Sequence, residues 1–284
     1  MSNDGPGIND RPVSNEESGD NSKLASPREE VSAIHEGTSH APHEDHGAQE
    51  RLPIYFNFDR LPQPRATYVA WVDVMGAGNM MSQSLLKSAN CIGRLHIALI
   101  MALNRDLAVS PFMDGAYVRA ERQEVMLDFL CRVFEEMAFY FLKAKEHKRR
   151  FLIRAGLAFG EVIEGVSIPT STSKILGAYN KTWYREGIYF GHPIQQANRA
   201  EKSAPPFGIA IDESARGFCQ SDERPLSGLW WRWDKRQEPP YMGEFKTTLV
   251  GYLEWCRKHA LSTDYKDDRI ETHRRMAEEY FAPD

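Results

Sequence analysis

The sequence predicts an α+β fold: an antiparallel sheet with helices laid on one face. Three observations lead there. Apolar runs at 67–74 and 151–163 are rich in β-branched and aromatic residues, the composition of buried strands. Two long stretches, 79–104 and 121–145, repeat their apolar residues every three or four positions, as helices do. Between those stretches, 107–120 reads as a hairpin of two short strands.

The first 50 residues stand apart. They hold 11 acidic and 3 basic residues and no aromatic residue, a net charge of −8. The whole chain carries −5, so the remainder is near +3. A segment so charged and so poor in apolar groups is expected to be disordered, because burial cannot offset chain entropy. Its His35, His40, His43 and His46 have no cysteine among them and lack the spacing of a zinc finger. The expected division is a tail over 1–50, one domain over 51–260 and a helical extension over 261–284.

The four cysteines, Cys91, Cys131, Cys219 and Cys256, are scattered, which fits a reducing compartment rather than a disulfide scaffold. No signal peptide is recognised. The most apolar helix candidate, Leu95 to Leu103, is too short for a bilayer, which takes about 20 residues. The domain has no basic stripe of the kind that binds nucleic acid. A soluble cytoplasmic protein is the expectation.

In order along the chain, 52–65 carries Pro53, Pro62 and Pro64 and is irregular. Strand one follows at 67–74. The helix over 79–104 repeats Leu85, Leu86, Ile92, Leu95, Leu99 and Leu103, with Asn79 or Ser82 as caps. The hairpin turns at Asp114-Gly115. The helix over 121–145 carries a stripe of Val125, Phe129, Val133 and Met137 and ends in basic residues, which suits the helix dipole. The run from Phe151 reads as a strand, a turn at Gly160 and another strand. The order β-α-β-β-α-β is the ferredoxin-like arrangement. Beyond it, a helix is expected over 172–186, another after Pro193, and a short strand over 208–212. Trp230–Trp233 is expected to pair with Tyr241–Lys246 as a hairpin, and helices are expected over 249–258 and 269–280.

Chemistry gathers on two carboxylates. Asp73 interrupts the apolar run Tyr68–Val72, where an unpaired charge is costly unless it binds a partner. Gly76 and Gly78 follow, so a strand, a carboxylate, a glycine turn and a helix start fall together, as in metal and phosphate sites. Asp114 lies at the hairpin tip. Strands one and three are neighbours in a ferredoxin-like sheet, so Asp73 and Asp114 are expected to meet. Such a pair can hold two divalent ions over a triphosphate for in-line phosphoryl transfer. Each residue also has a plain reading, Asp73 as a turn cap and Asp114 as an ordinary turn residue.

At these residues the sequence resembles the class III nucleotidyl cyclases. Val72-Asp-Val-Met-Gly76 and Met113-Asp-Gly-Ala-Tyr117 match the family's two metal motifs. Arg154-Ala-Gly-Leu-Ala-Phe-Gly-Glu-Val162 is similar to the strand segment that follows. Gly191 to Arg199 and Ala204 to Asp212 are similar to the segment bearing the transition-state residues. Order and spacing agree over about 66–214. Each block alone is weak, and the four together are specific.

The resemblance implies a class III catalytic domain with C-terminal additions. It implies Asp73, Asp114 and the Val74 carbonyl as ligands of Mn²⁺ or Mg²⁺, two ions per site. The backbone of Met75, Gly76, Ala77 and Gly78 is expected to cradle phosphate. Arg199 is expected to steady the transferring phosphoryl group, with Gln195 where the family has Asn; the plain reading of Arg199 is a solvated helix charge. The site is shared between two subunits, so a homodimer is implied. Lys246 falls roughly where the family has a triphosphate-binding lysine.

Two positions depart from the purine cyclases. Their base-reading residues align with Ser110 and Ile188, and Ile188 has no group to hydrogen-bond a base edge. In this the chain is most similar to the bacterial pyrimidine cyclases of the Pycsar anti-phage system. That resemblance implies UTP, or else CTP, as substrate, a cyclic UMP or cyclic CMP product, and a cyclic-nucleotide-activated effector acting downstream. Tyr68 is a candidate for base contact, and its plain reading is a core aromatic. A purine cyclase with an unusual pocket, and a catalytically dead cyclase-like domain, remain as alternatives.

Overall fold

The computed structural model describes residues 61–169, 185–263 and 265–283. The acidic tail, and the helix expected over 172–186 apart from Arg185 and Glu186, lie outside them.

Strand β1 (Arg65–Val74) is the centre of the sheet. It is followed by helices α1 (Ala77–Gln83) and α2 (Leu85–Ala102), strands β2 (Leu107–Phe112) and β3 (Gly115–Ala120), helix α3 (Gln123–Lys143) and strand β4 (Ile153–Glu164). The predicted α+β class and β-α-β-β-α-β order are therefore observed. β1 runs antiparallel to both β3 and β4, and the sheet order is β2-β3-β1-β4. The remaining elements are β5 (Tyr189–Phe190), α4 (His192–Glu201), β6 (Ile209–Ile211), α5 (Glu213–Gly217), β7 (Trp230–Trp231), α6 (Asp234–Gln237), α7 (Met242–Lys258), α8 (Ala260–Thr263) and α9 (Asp267–Tyr280). β6 extends the sheet parallel to β4, β7 pairs with β6, and β5 pairs with the far end of β4.

Side chains alternate along β1, and this splits it between two environments. Tyr68, Ala70, Val72 and Val74 face the main core under α2 and α3, with Leu95, Leu99, Phe129, Val133 and Met137. Val69 and Trp71 face the other way, against Ala158, Val162 and Ala197. Helix α4 lies on this second face, so helices cover part of both faces rather than one. It sits with its backbone almost on the sheet. A Cβ on Gly156 would stand 2.1 Å from the Ala197 carbonyl oxygen and 2.3 Å from the Glu201 nitrogen. One on Gly160 would stand 2.9 Å from the Pro193 ring. Gly160 therefore makes room for α4, and β4 runs straight through the expected turn.

Other expectations are corrected. The helix over 79–104 is two helices, because Ser84 is extended (φ −159°) and its hydroxyl accepts from the Lys87 N–H to cap α2. α2 has 18 residues and a mean hydropathy of 1.2, long and apolar enough to cross a membrane by length and composition alone. In the fold, its Cys91, Leu95, Ala98, Leu99 and Ala102 are buried in the domain core. The late hairpin does not form: Trp230 and Trp231 pair with β6, and 242–258 is helical, its Met242, Phe245, Leu249 and Leu253 repeating at helical spacing. Helix α9 buries Ile270, Ala277 and Tyr280, and Phe281 just beyond it is buried among Phe245 and Trp233.

Gly156→Ala is expected to destabilise the domain by about 1–3 kcal/mol, since backbone rather than a side-chain tip must move. Gly251, on the exposed side of α7, has open space around it, so Gly251→Ala should stabilise by about 0.5–1 kcal/mol. Thermal melts of both variants check the contrast.

Candidate active site

The site forms at the C-terminal end of β1. Alternation puts Asp73 on the face of Val69 and Trp71, opposite the main core. Its register partners are Gly115 on β3 and Arg154 on β4. Gly115 sets how closely the hairpin tip approaches: a Cβ there would stand 2.4 Å from the Val72 carbonyl oxygen and 2.8 Å from the Trp71 ring. Met113 takes a left-handed conformation (φ 51°) to close the turn. Asp114, held between these two residues, comes close enough to Asp73 to act on its charge.

Asp73 sits in a strained electrostatic position. Its Oδ1 is buried without a hydrogen-bond partner. Burial, then the charges of Asp114 and Glu201, push its pKa up to about 7, against the opposing pull of Arg154 and a backbone hydrogen bond from Val74. Glu201, on the inner side of α4, is itself buried and ion-paired to Arg154. Burial raises the Glu201 pKa and Arg154 opposes it. The outcome is three carboxylates near one end of the sheet and one arginine among them, held by Glu201.

A divalent cation fits this arrangement on the evidence of the orphaned Asp73 oxygen and its acidic neighbour. Among the described residues no group of three or more His, Cys, Asp and Glu side chains is set to hold a metal. A cation here would rest on Asp73, Asp114, the adjacent Val74 carbonyl and oxygens of its own ligand.

The other predicted residues divide. Gly76 caps α1 in a left-handed conformation (φ 74°), where glycine is favoured, and both Gly76 and Gly78 are exposed. Ala77 is buried at the start of α1. The Met75 N–H donates to the Leu152 carbonyl (2.8 Å), so it is not available to a phosphate. Tyr68 is fully buried on the opposite face from Asp73, its ring on Phe159 and its hydroxyl donating to Glu223 (2.7 Å). It is a core residue and not part of the site. Lys246 lies 4.0 Å from Asp234 and near the Phe281 ring, in the C-terminal aromatic cluster.

Ser110 stands on the Asp73 face, in register with Tyr117 and through it with Trp71. Its hydroxyl is 2.6 Å from that of Tyr189 on β5. Ile188, beside Tyr189, is wedged over Gly165, where a Cβ would stand 2.8 Å from its own. Ser110 is thus separated from Asp73 by strand β3 and two positions of register, and Ile188 precedes β5, which pairs with the far end of β4. Gln195 and Arg199 are exposed on the outer side of α4, while Pro193, Ala197, Ala200 and Glu201 face inward.

The cations missed from sequence line a cavity of about 760 Å³ that opens beside the Gly76 turn. Lys87, Arg150, Arg154, Lys202, Lys266 and Arg269 surround it, with Tyr265 and His273. They come from five separate parts of the chain, and no local motif marks them. The Tyr265 hydroxyl and His273 Nδ1 share a hydrogen bond. Burial, then Arg154 and Arg269, lower the His273 pKa to about 4, so the imidazole is neutral in this basic surrounding.

No protein-family model matches the chain. No curated protein matches it either. Among solved structures it is similar to a bacterial light-regulated adenylyl cyclase, with 14% identity and a TM-score of 0.43 over 57% of this chain and 47% of that one. It is similar to an adenylate/guanylate cyclase/hydrolase from Silicibacter pomeroyi, with 16% identity and a TM-score of 0.39 over 53% of this chain and 77% of that one. It is also similar to the monomeric guanylyl cyclase domain of the RhoGC fusion protein from the aquatic fungus Blastocladiella emersonii, with 16% identity and a TM-score of 0.41 over 55% and 85%. The chain thus spans about half the length of the first of these. At such values the site is read from its own geometry.

The neutral His273 makes stability depend on pH. Its folded pKa lies below the ordinary value of about 6.5, so its contribution is complete above pH 6.5 and is lost as pH falls toward about 4. The difference is worth about 2 kcal/mol after allowance for partial exposure. Chemical denaturation across that window should show a shallower loss for His273→Gln than for the parent chain.

Proposed function

We propose that this chain is a nucleotidyl cyclase of the class III type, acting on a pyrimidine nucleoside triphosphate, UTP before CTP. The ribose 3′-hydroxyl attacks the α-phosphorus, the bond from that phosphorus to the pyrophosphate oxygen breaks, and a 3′,5′-cyclic nucleotide and pyrophosphate result. The observation that carries this reading is the Asp73–Asp114 pair, with its unpartnered buried oxygen, beside Arg154, which also lines a cation-rich cavity.

Asp73, Asp114 and the Val74 carbonyl would hold the divalent cations, Mn²⁺ or Mg²⁺, which supply charge neutralisation at the phosphates and a more acidic 3′-hydroxyl. The chain's own residues do the rest. Arg154, its orientation held by Glu201, stands between the carboxylates and the cavity. Arg199 and Gln195 share one exposed side of α4 and face away from their own sheet, which supports their acting on the site of a second copy. A homodimer with shared sites follows. Ile188 offers no polar group to a purine edge, which supports the smaller base. The product is read as a second messenger for anti-phage defence that acts through a cyclic-nucleotide-activated effector.

The purified protein, incubated with Mn²⁺ and each of ATP, GTP, UTP and CTP, should yield pyrophosphate and cyclic UMP or cyclic CMP, identified by mass. A purine product would overturn the base assignment and leave the site intact. Asp73→Ala and Asp114→Ala should each lower turnover on the order of 10³-fold or more while the fold melts normally. Inactive Asp73→Ala and Arg199→Ala chains, mixed and allowed to exchange, should recover activity, since one site per mixed dimer is whole. Mixed dimers without any recovery would remove Arg199 from a shared site.

A further inference from the structure

The cavity beside the Gly76 turn has a composition that calls for a ligand. Six of its lining side chains are cationic: Lys87, Arg150, Arg154, Lys202, Lys266 and Arg269. Among the described residues no Asp or Glu lines it. Among the described residues, Arg154 alone of these six has a carboxylate ion-pair partner, Glu201. Gathering cations with so little compensation costs free energy through mutual repulsion, which an anion would relieve. His273 already shows the effect, since Arg154 and Arg269 add to burial in keeping its imidazole neutral. The volume of about 760 Å³ lies within the range of small-molecule sites, roughly 300–1,000 Å³.

Two further observations define the ligand. Arg154 belongs both to the cavity lining and to the surroundings of Asp73, so one side chain links the cavity to the end of β1 that carries Asp73. In addition, two of the six cations come from the C-terminal elements. Lys266 and Arg269 flank the start of α9, and Tyr252 and Trp255 of α7 form the floor. Burial of Ile270, Ala277, Tyr280 and Phe281 fixes α9 against the domain and holds those two cations over the Gly76 turn.

We propose that the C-terminal helices complete a polyphosphate site, in which Lys266 and Arg269, with Lys87 and Lys202, hold the β- and γ-phosphates of the nucleotide and then the pyrophosphate product. This rests on the cyclase reading for the identity of the nucleotide, but not for the binding of a polyphosphate. The C-terminal segment is thereby part of the substrate site. Chain cleaved between α7 and α9 would lose phosphate affinity before it lost its fold.

Inorganic pyrophosphate is the direct probe. Titration into the full-length protein by calorimetry, with and without Mg²⁺, should show binding that weakens as salt rises. The double variant K266A/R269A removes two exposed side chains, so the fold should be kept, and its melting curve checks this. It should bind pyrophosphate about tenfold more weakly, as expected for two charge-assisted contacts. Arg275→Ala, an exposed cation of α9 outside the cavity, should bind as the parent chain does. UTP should displace the bound pyrophosphate. Equal affinity in K266A/R269A and the parent would overturn the proposal. So would weakened binding that none of the four nucleoside triphosphates displaces, because that would mark a separate anion site. Pyrophosphate binding that is lost in the double variant and displaced by a triphosphate, in a protein that forms no cyclic product, would uphold this site while the cyclase reading failed.

Discussion

The burial of one carboxylate at the end of the central strand is the constraint on which the rest of this structure depends. Asp73 follows an apolar run that the core requires, yet its Oδ1 is out of water and unpartnered. Such a group is tolerated only where its surroundings supply a proton or a cation. The surroundings here add to the demand, since Asp114 and Glu201 raise the Asp73 pKa further beyond the effect of burial. Gly115, which permits the hairpin to close on Val72 and Trp71, and Gly156, which permits α4 to lie on β4, bring those two carboxylates into range. The close packing of the backbone and the acidity of the site are thus one feature seen twice.

The two faces of the sheet have separate tasks. One face, with Tyr68, Val72 and the inner sides of α2 and α3, is closed by apolar packing and carries stability. The other is covered by α4 near β1 and β4, through small residues and glycines. On that second face the polar residues collect: Asp73, Arg154 and Glu201 at one end, and Ser110 across β3, its hydroxyl bonded to that of Tyr189. Arg199 rides on the outer side of the same helix whose inner side presents Glu201. A helix ten residues long therefore contributes to the electrostatics of the site on one side and exposes Gln195 and Arg199 on the opposite side.

The additions after β6 are part of this organisation. The aromatic cluster of Trp233, Phe245, Tyr280 and Phe281 packs the chain terminus back onto the domain. That packing sets the position of α9, and with it the basic residues that face the Gly76 turn. A charge-lined cavity next to a charge-buried strand end is a complementary pair, positive beside negative, within one end of the sheet.

By itself the sequence determined the α+β class, the β-α-β-β-α-β order and the meeting of Asp73 with Asp114, because these rest on local periodicity, on the Asp-Gly turn and on the neighbour relations of the sheet. It also held a clue that the reading passed over. Tyr68 lies five residues before Asp73 on one strand, and an odd spacing puts the two on opposite faces. Tertiary structure alone decided the straight passage of β4 through Gly160, the helical state of 242–258, the Arg154–Glu201 pair and the basic cavity. The physical reason is the same in each case. A glycine reads as a turn until the helix packed against it is known, and Lys87, Lys202 and Arg269 are ordinary surface charges until distant elements fold to face one another.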